Sequence, residues 1–352
     1  MSDSIKSNPT RKTHSLTPEN KETPISFVQT DVTSAKFFYL RNHFSYPSFT
    51  YQNHWLSISG LVDIPMLFSM QDIRKLPSKK IKVVLECAGN KRSLFQPKVF
   101  GEQWEKGGMS HGYWKGVSLL TLLQMTGIKK EVKEVIFESH DMGTQPSTDQ
   151  PLPYSRSLPL NKAIHPDTIL AYEYNNEPIP YKHGFPLRLI VPNWYGMASI
   201  KWLKHIKLAD KEFGGHFQTK DYVFYPHVNN DNDSFPVTVQ NVNSSIQQPT
   251  DLQILSTGKI QITGIAWTGK GYISKVEIST DGGITWSNAL LKKKESYGWV
   301  SWSFEWVVWQ TGEYTLLSKA TDSHGRVQPE SPFWNRKGYG YNATDRVSVK
   351  IE

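Results

Sequence analysis

In the last third of the chain, residues 259–264, 273–279 and 314–320 alternate apolar and polar side chains at a period of two. That period sets one face of an extended strand against a core and the other toward water. No helical spacing interrupts the series, and Asp281-Gly282-Gly283 supplies a turn between Ile278 and Trp286. Strands spaced in this way predict a β-sandwich, assigned to residues 231–352.

A sandwich of that size leaves most of the 352 residues unexplained, and the length predicts two domains. Residues 227–234 are rich in Asn and Asp, and 241–249 add Asn, Ser, Gln and Pro, as in a connection between domains. Upstream, over 26–230, short apolar runs at 37–40, 83–85, 135–137 and 187–191 alternate with long loops. One helix is predicted within 116–127, where leucines recur at helical spacing, Ser118 can act as N-cap and Gly127 suits the exit. The pattern is α+β: a mixed α/β domain without the strand and helix alternation of a doubly wound sheet, followed by an all-β domain. Residues 1–25, rich in Ser, Thr, Asn, Lys and Pro, read as a flexible N-terminal arm.

Charge and composition exclude several functions. Forty basic against 32 acidic residues give +8, enough to attract anions. The basic residues are dispersed, with Lys292-Lys293-Lys294 the notable cluster, read as a solvated hairpin end. Without zinc-finger or basic-zipper spacing, nucleic acid is not the expected partner. No apolar run approaches the roughly 20 residues of a membrane span. Residues 1–25 contain no apolar core with a cleavage site, so a reducing cytoplasm is the default compartment. The 12 tryptophans and 16 tyrosines fall largely where alternating strands would bury them.

Cys87 is the only cysteine in the chain, so its role must come from packing or from thiolate chemistry. The run 81–86 reads as a short apolar strand and Ala88-Gly89-Asn90 as the turn after it, which sets the thiol where a strand enters a loop. Lys91 and Arg92 follow closely and would favour a thiolate. A metal ligand and a nucleophile both fit; a thiol hydrolase would need a histidine such as His111 or His183 nearby. There is no His-Glu-x-x-His pair for zinc, no Gly-x-Gly-x-x-Gly turn for a dinucleotide and no Cys-x-x-Cys-His for haem.

Cys87-Ala88-Gly89-Asn90-Lys91-Arg92 resembles the metal-ligand motif of the sulfite oxidase family of molybdenum enzymes. Leu40-Arg41-Asn42-His43, His183-Gly184-Phe185-Pro186-Leu187-Arg188 and Ser199-Ile200-Lys201-Trp202-Leu203 resemble further family blocks in the expected order. Residues 279–286 and 320–329 resemble its immunoglobulin-like dimerisation domain. The resemblance implies a molybdenum cofactor with one pyranopterin, Cys87 as the protein thiolate on the metal, and Asn42, His43, Asp141, His183, Arg188, Ser199 and Lys201 around the pterin and phosphate. It further implies a substrate pocket for an oxyanion from Arg41, Arg92 and Lys337, completed by Trp104 and Tyr222. The implied reaction is oxidation of sulfite to sulfate, with electrons passed to an external acceptor such as a cytochrome or dioxygen, in a homodimer. A molybdenum enzyme reducing a sulfoxide and a non-catalytic scaffold are the alternatives. Two positions depart from the family pattern. Lys91 replaces the first arginine after Asn90, at a position read as tolerant. Lys337, in Trp334-Asn335-Arg336-Lys337-Gly338, falls where a third arginine is usual. Lysine keeps the charge and loses the bidentate fork.

Overall fold

The structure is a computed structural model that describes residues 10–28, 31–49, 54–145, 148, 150–292 and 296–352. The first domain contains two five-stranded sheets. In one, Ser78–Glu86, Met109–Ser118 and Ile169–Tyr174 pair in that order, all antiparallel, and Arg188–Ile190 and Glu177–Pro178 add to the last of them. In the other, the order is Met66–Ser69, Trp55–Gly60, Leu203–Ala209, Glu134–Gly143 and Leu152–Pro159, with one parallel pair, Trp55–Gly60 beside Leu203–Ala209. A shared core that includes Leu56, Val117, Phe137, Leu189 and Ile206 lies between them. The expected helix is present as Leu119–Thr126, and Gly127 ends it at φ 71°. Ser118 makes no side-chain cap, because the strand Met109–Ser118 runs directly into the helix. Residues 37–40 form no strand: a 3-10 turn covers Ala35–Phe37, and Leu40 makes a single bridge to Lys21.

The second domain is the sandwich that period-two alternation predicts. Asn243–Gln248, Gly258–Trp267, Val300–Val308 and Leu290–Leu291 form one sheet. Gln253–Leu255, Asp345–Ile351, Gly312–Asp322, Ile273–Ser279 and Ser287–Asn288 form the other. Ile262, Val276, Trp302, Leu316 and Val347 fill the space between the sheets. The connection returns to the first domain: Val223–Phe224 pairs with Phe235–Pro236, and Val237 belongs to the first core. Lys293 and Lys294 of the lysine run lie outside the described residues. No helix among the described residues is long and apolar enough to cross a membrane.

The flexible arm expected over 1–25 is, from residue 12, a hairpin of Lys12–Leu16 and Glu19–Glu22. Its polar side chains are partnered by the body of the domain. Glu22, 1% exposed, accepts the N–H groups of Glu105 (3.0 Å) and Gly107 (2.9 Å) and pairs with His14 Nε2 at 2.8 Å. Asn20 Oδ1 accepts the N–H of Asn42 at 2.7 Å.

Candidate active site

The strand Ser78–Glu86 ends one residue before Cys87, with Glu86 in register with Met109. The Cys87 N–H donates to the Gly108 carbonyl (2.8 Å) and the Asn90 N–H to the Cys87 carbonyl (2.9 Å). Lys91 takes the left-handed φ of 64°, and the Arg92 N–H then donates to the Gly89 carbonyl (3.0 Å). The thiol is thus fixed by a strand end and a tight turn, and it is 6% exposed.

Cys87 lines two cavities. The more enclosed one takes its polar wall from Arg41, Asn42, His43, Asp141, His183, Arg188, Ser199, Lys201 and Tyr222. These residues come from separate segments, Asp141 from the strand Glu134–Gly143 and Arg188 from the start of the strand Arg188–Ile190. His183 ends the 3-10 turn Tyr181–His183, followed by Gly184 at φ 109°, where a Cβ would press on Lys201 Cα at 3.0 Å. Ser199 follows the turn Gly196–Ala198, and its Oγ accepts the Val191 N–H at 3.0 Å. Arg188, 4% exposed, donates to the carbonyls of His183 (3.0 Å) and Ser199 (3.2 Å) and makes no ion pair among the described residues. Lys201 Nζ donates to Asn42 Oδ1 and lies 4.3 Å over the Trp202 ring.

The second cavity is an open mouth shared by Arg41, Cys87, Arg92, Tyr222, Arg336 and Lys337, with His14, Phe100, Asp221 and Tyr339 among its other walls. The Arg92 guanidinium donates to the carbonyls of Lys337 (2.9 Å) and Glu102 (3.1 Å) and lies 4.9 Å from the Tyr339 ring. Lys337 Nζ is held by Asp221 Oδ1 (3.0 Å) and the Lys220 carbonyl (2.7 Å). Tyr222 Oη stands 3.0 Å from His43 Nε2.

Burial governs the electrostatics. It raises the Cys87 pKa, while Arg41 and Arg92 act in the opposite direction. Burial, aided by Arg41, pushes His43 down to about 3, and burial takes His183 well below its ordinary value. Lys201 falls to about 7 and Asp141 rises, both through burial. The Tyr222 phenol is pushed up by burial, so it stays a donor at neutral pH.

Twelve of the thirteen site residues expected from sequence line one or both cavities. Trp104 lines neither. It is fully buried, edge-on to Tyr39 at 6.2 Å and 4.7 Å from the His14 ring, so it backs the wall. Lys91 is not a tolerant position and does not face the thiol: it is fully buried, and its Nζ donates to Asn243 Oδ1 at 2.7 Å. The cations acting on Cys87 are Arg41 and Arg92. Sequence reasoning missed Tyr39, Tyr154, Asp221 and Tyr339 in the walls. Of these, only Asp221 carried a signal, its position next to Tyr222.

Residues 43–217 match the family model described as an oxidoreductase molybdopterin binding domain, and 235–352 match a Mo-co oxidoreductase dimerisation domain. The chain is 33% identical to sulfite oxidase of Arabidopsis thaliana, with 97% of this chain and 94% of that protein covered. It is 32% identical to mitochondrial sulfite oxidase of Rattus norvegicus over 97% of its own length, and spans 66% of the rat protein. Among solved structures it is similar to the sulfane dehydrogenase SoxCD of Paracoccus pantotrophus, with a TM-score of 0.83, 25% identity, and 98% of this chain and 91% of that one covered.

Proposed function

The chain belongs to the sulfite oxidase family of molybdopterin-dependent oxidoreductases, and on that premise we propose that it oxidises sulfite to sulfate at a molybdenum centre ligated by Cys87, passing electrons to an external acceptor. The observation that carries the reading is the position of Cys87, shared by an enclosed cationic cavity and an open cationic mouth. The wall fits the cofactor. Buried Arg188 without an ion pair among the described residues calls for an anion, since an uncompensated buried charge is costly. A thiolate suits a soft redox metal.

His183, Arg188, Ser199 and Lys201, with Asn42, His43 and Asp141, would hold the pterin and phosphate through charge-assisted hydrogen bonds. When bound, the cofactor supplies the two-electron chemistry and the transferable oxygen. Arg41, Arg92 and Lys337 gather the oxyanion at the mouth, and their fixed charge favours it over a neutral sulfoxide. Tyr222, held protonated by burial, donates to an oxyanion oxygen and is oriented by His43. Trp104 acts indirectly, by supporting Tyr39. A cytochrome or dioxygen would take the electrons, and a homodimer would form through the sandwich; light scattering tests the latter.

Molybdenum-loaded protein should reduce ferricyanide in a sulfite-dependent manner, and Cys87→Ser should keep the fold and lose that turnover. Normal sulfite turnover by Cys87→Ser, or sulfoxide turnover without sulfite turnover by the wild type, would sink the reading.

A further inference from the structure

Both flanks of Cys87 are gripped by the sandwich domain. On the upstream side, Glu86 is 2% exposed; its Oε2 accepts from Trp267 Nε1 at 2.9 Å and its Oε1 from Asn90 Nδ2 at 3.1 Å. On the downstream side, Lys91 Nζ donates to Asn243 Oδ1 and to the Ser244 carbonyl (2.9 Å) and lies 3.6 Å from Asp345 Oδ1. Trp267, Asn243 and Asp345 all lie on sandwich strands. The Asp345 carboxylate also takes Lys106 Nζ at 2.9 Å, close to Gly108, whose carbonyl accepts the Cys87 N–H. Neither Glu86 nor Lys91 lines either of the two cavities that share Cys87, which sets both behind the site rather than in its walls. A buried acid and a buried base are costly next to an apolar pair of the same volume, and simple packing does not require them.

We propose that the sandwich is a clamp on the Cys87 loop, with Trp267 acting through Glu86, and Asp345 through Lys91, as positioning residues. The role of the clamp as metal-ligand support rests on the reading of Cys87 as the molybdenum ligand. A ligand atom is held to the required geometry by the shell behind it, and here that shell belongs to another domain.

Because Cys87 is the only thiol, alkylation reports a single site. In cofactor-free protein, Trp267→Phe removes the N–H, keeps the aromatic bulk, and should raise the iodoacetamide reaction rate of Cys87 at least about fivefold by loosening the loop. Glu86→Gln is the second variant, because Trp267 and Asn90 donate to different carboxylate oxygens and the amide replaces one of those oxygens with an NH2 donor. The double variant should gain no more than either single one, as residues acting through one contact are not additive. Val276→Ala, in the sandwich core, serves as a control for general destabilisation. Wild-type rates in both single variants, or an equal acceleration in Val276→Ala at a matched loss of Tm, would overturn the clamp. In molybdenum-loaded protein the sulfur-to-metal charge-transfer band should shift in Trp267→Phe. Wild-type protein that takes up no molybdenum sinks the metal reading alone, since the alkylation arm is independent of it.

Discussion

Gly89→Ala adds a single methyl group beside Arg92. Gly89 has no positive φ, so its backbone accepts alanine, but the new Cβ would stand 2.8 Å from Arg92 Cζ and Nη2. Ordinary contact is about 3.5 Å, so the guanidinium must move by roughly 0.7 Å. Other directions are crowded as well: a Cβ at Gly101 would meet Nη1, and one at Gly338 would meet Arg92 Cγ, each at 2.9 Å. Movement of that size can stretch the bonds to Lys337 O (2.9 Å) and Glu102 O (3.1 Å) past the usual limit of about 3.2 Å. A hydrogen bond to a charged group contributes about 1.5–3 kcal/mol, and each 1.4 kcal/mol is tenfold. Displacing Arg92 from the oxyanion should therefore lower kcat/KM for sulfite about 10- to 100-fold, chiefly through KM. The displaced group is the flexible end of a side chain at an open mouth, so Tm should fall by a few degrees at most. Steady-state ferricyanide reduction with molybdenum-loaded variant, alongside thermal circular dichroism, measures both quantities. Unchanged kcat/KM in folded, loaded Gly89→Ala would refute the argument, as would the same penalty when the change is made in an Arg92→Ala background.

Two further predictions concern stability. His54 is 3% exposed, its ring nitrogens have no partner among the described residues, and burial pushes its pKa down to about 4. The unfolded imidazole, near 6.5, binds the proton that the folded one refuses, so this contribution is complete above pH 6.5 and is lost as pH falls toward 4. His54→Phe should flatten denaturant stability over that window by about 1.4 kcal/mol per pH unit; an unaltered slope would count against a neutral buried ring. Glu22→Ala orphans the N–H groups of Glu105 and Gly107 and should cost about 3 kcal/mol in denaturant titration, whereas a loss within error would mean that the N-terminal hairpin is not integral to the fold.

What was legible in the sequence was carried by short contiguous blocks. Arg41-Asn42-His43, Cys87 to Arg92, His183 to Arg188 and Ser199 to Lys201 are each one short contiguous segment, so their spacing preserves their geometry, and residues from all four meet at the more enclosed cavity. The alternation that predicts the sandwich is equally local. What sequence reasoning missed depends on distant partners. Lys91 looked exchangeable because Asn243 and Ser244, which desolvate and satisfy it, lie 152 and 153 residues away. The hairpin of Lys12–Leu16 and Glu19–Glu22 looked disordered because composition counts apolar burial, whereas Asn20 and Glu22 are held by hydrogen bonds. Trp104 offers the same indole to a pocket or to a core, and nothing local separates the two.

The buried Lys91–Asp345 contact also bears on biosynthesis. The two residues are separated by about 250 positions, which at roughly 5–20 residues per second leaves the lysine waiting on the order of 10–50 s after it is polymerised. Throughout that interval the first domain can collapse, but the Lys91 ammonium group lacks Asp345 and the acceptors of Asn243 and Ser244. The thiol therefore reaches its final setting only after the strand Asp345–Ile351 has been made, and cofactor loading becomes a step that follows the second domain.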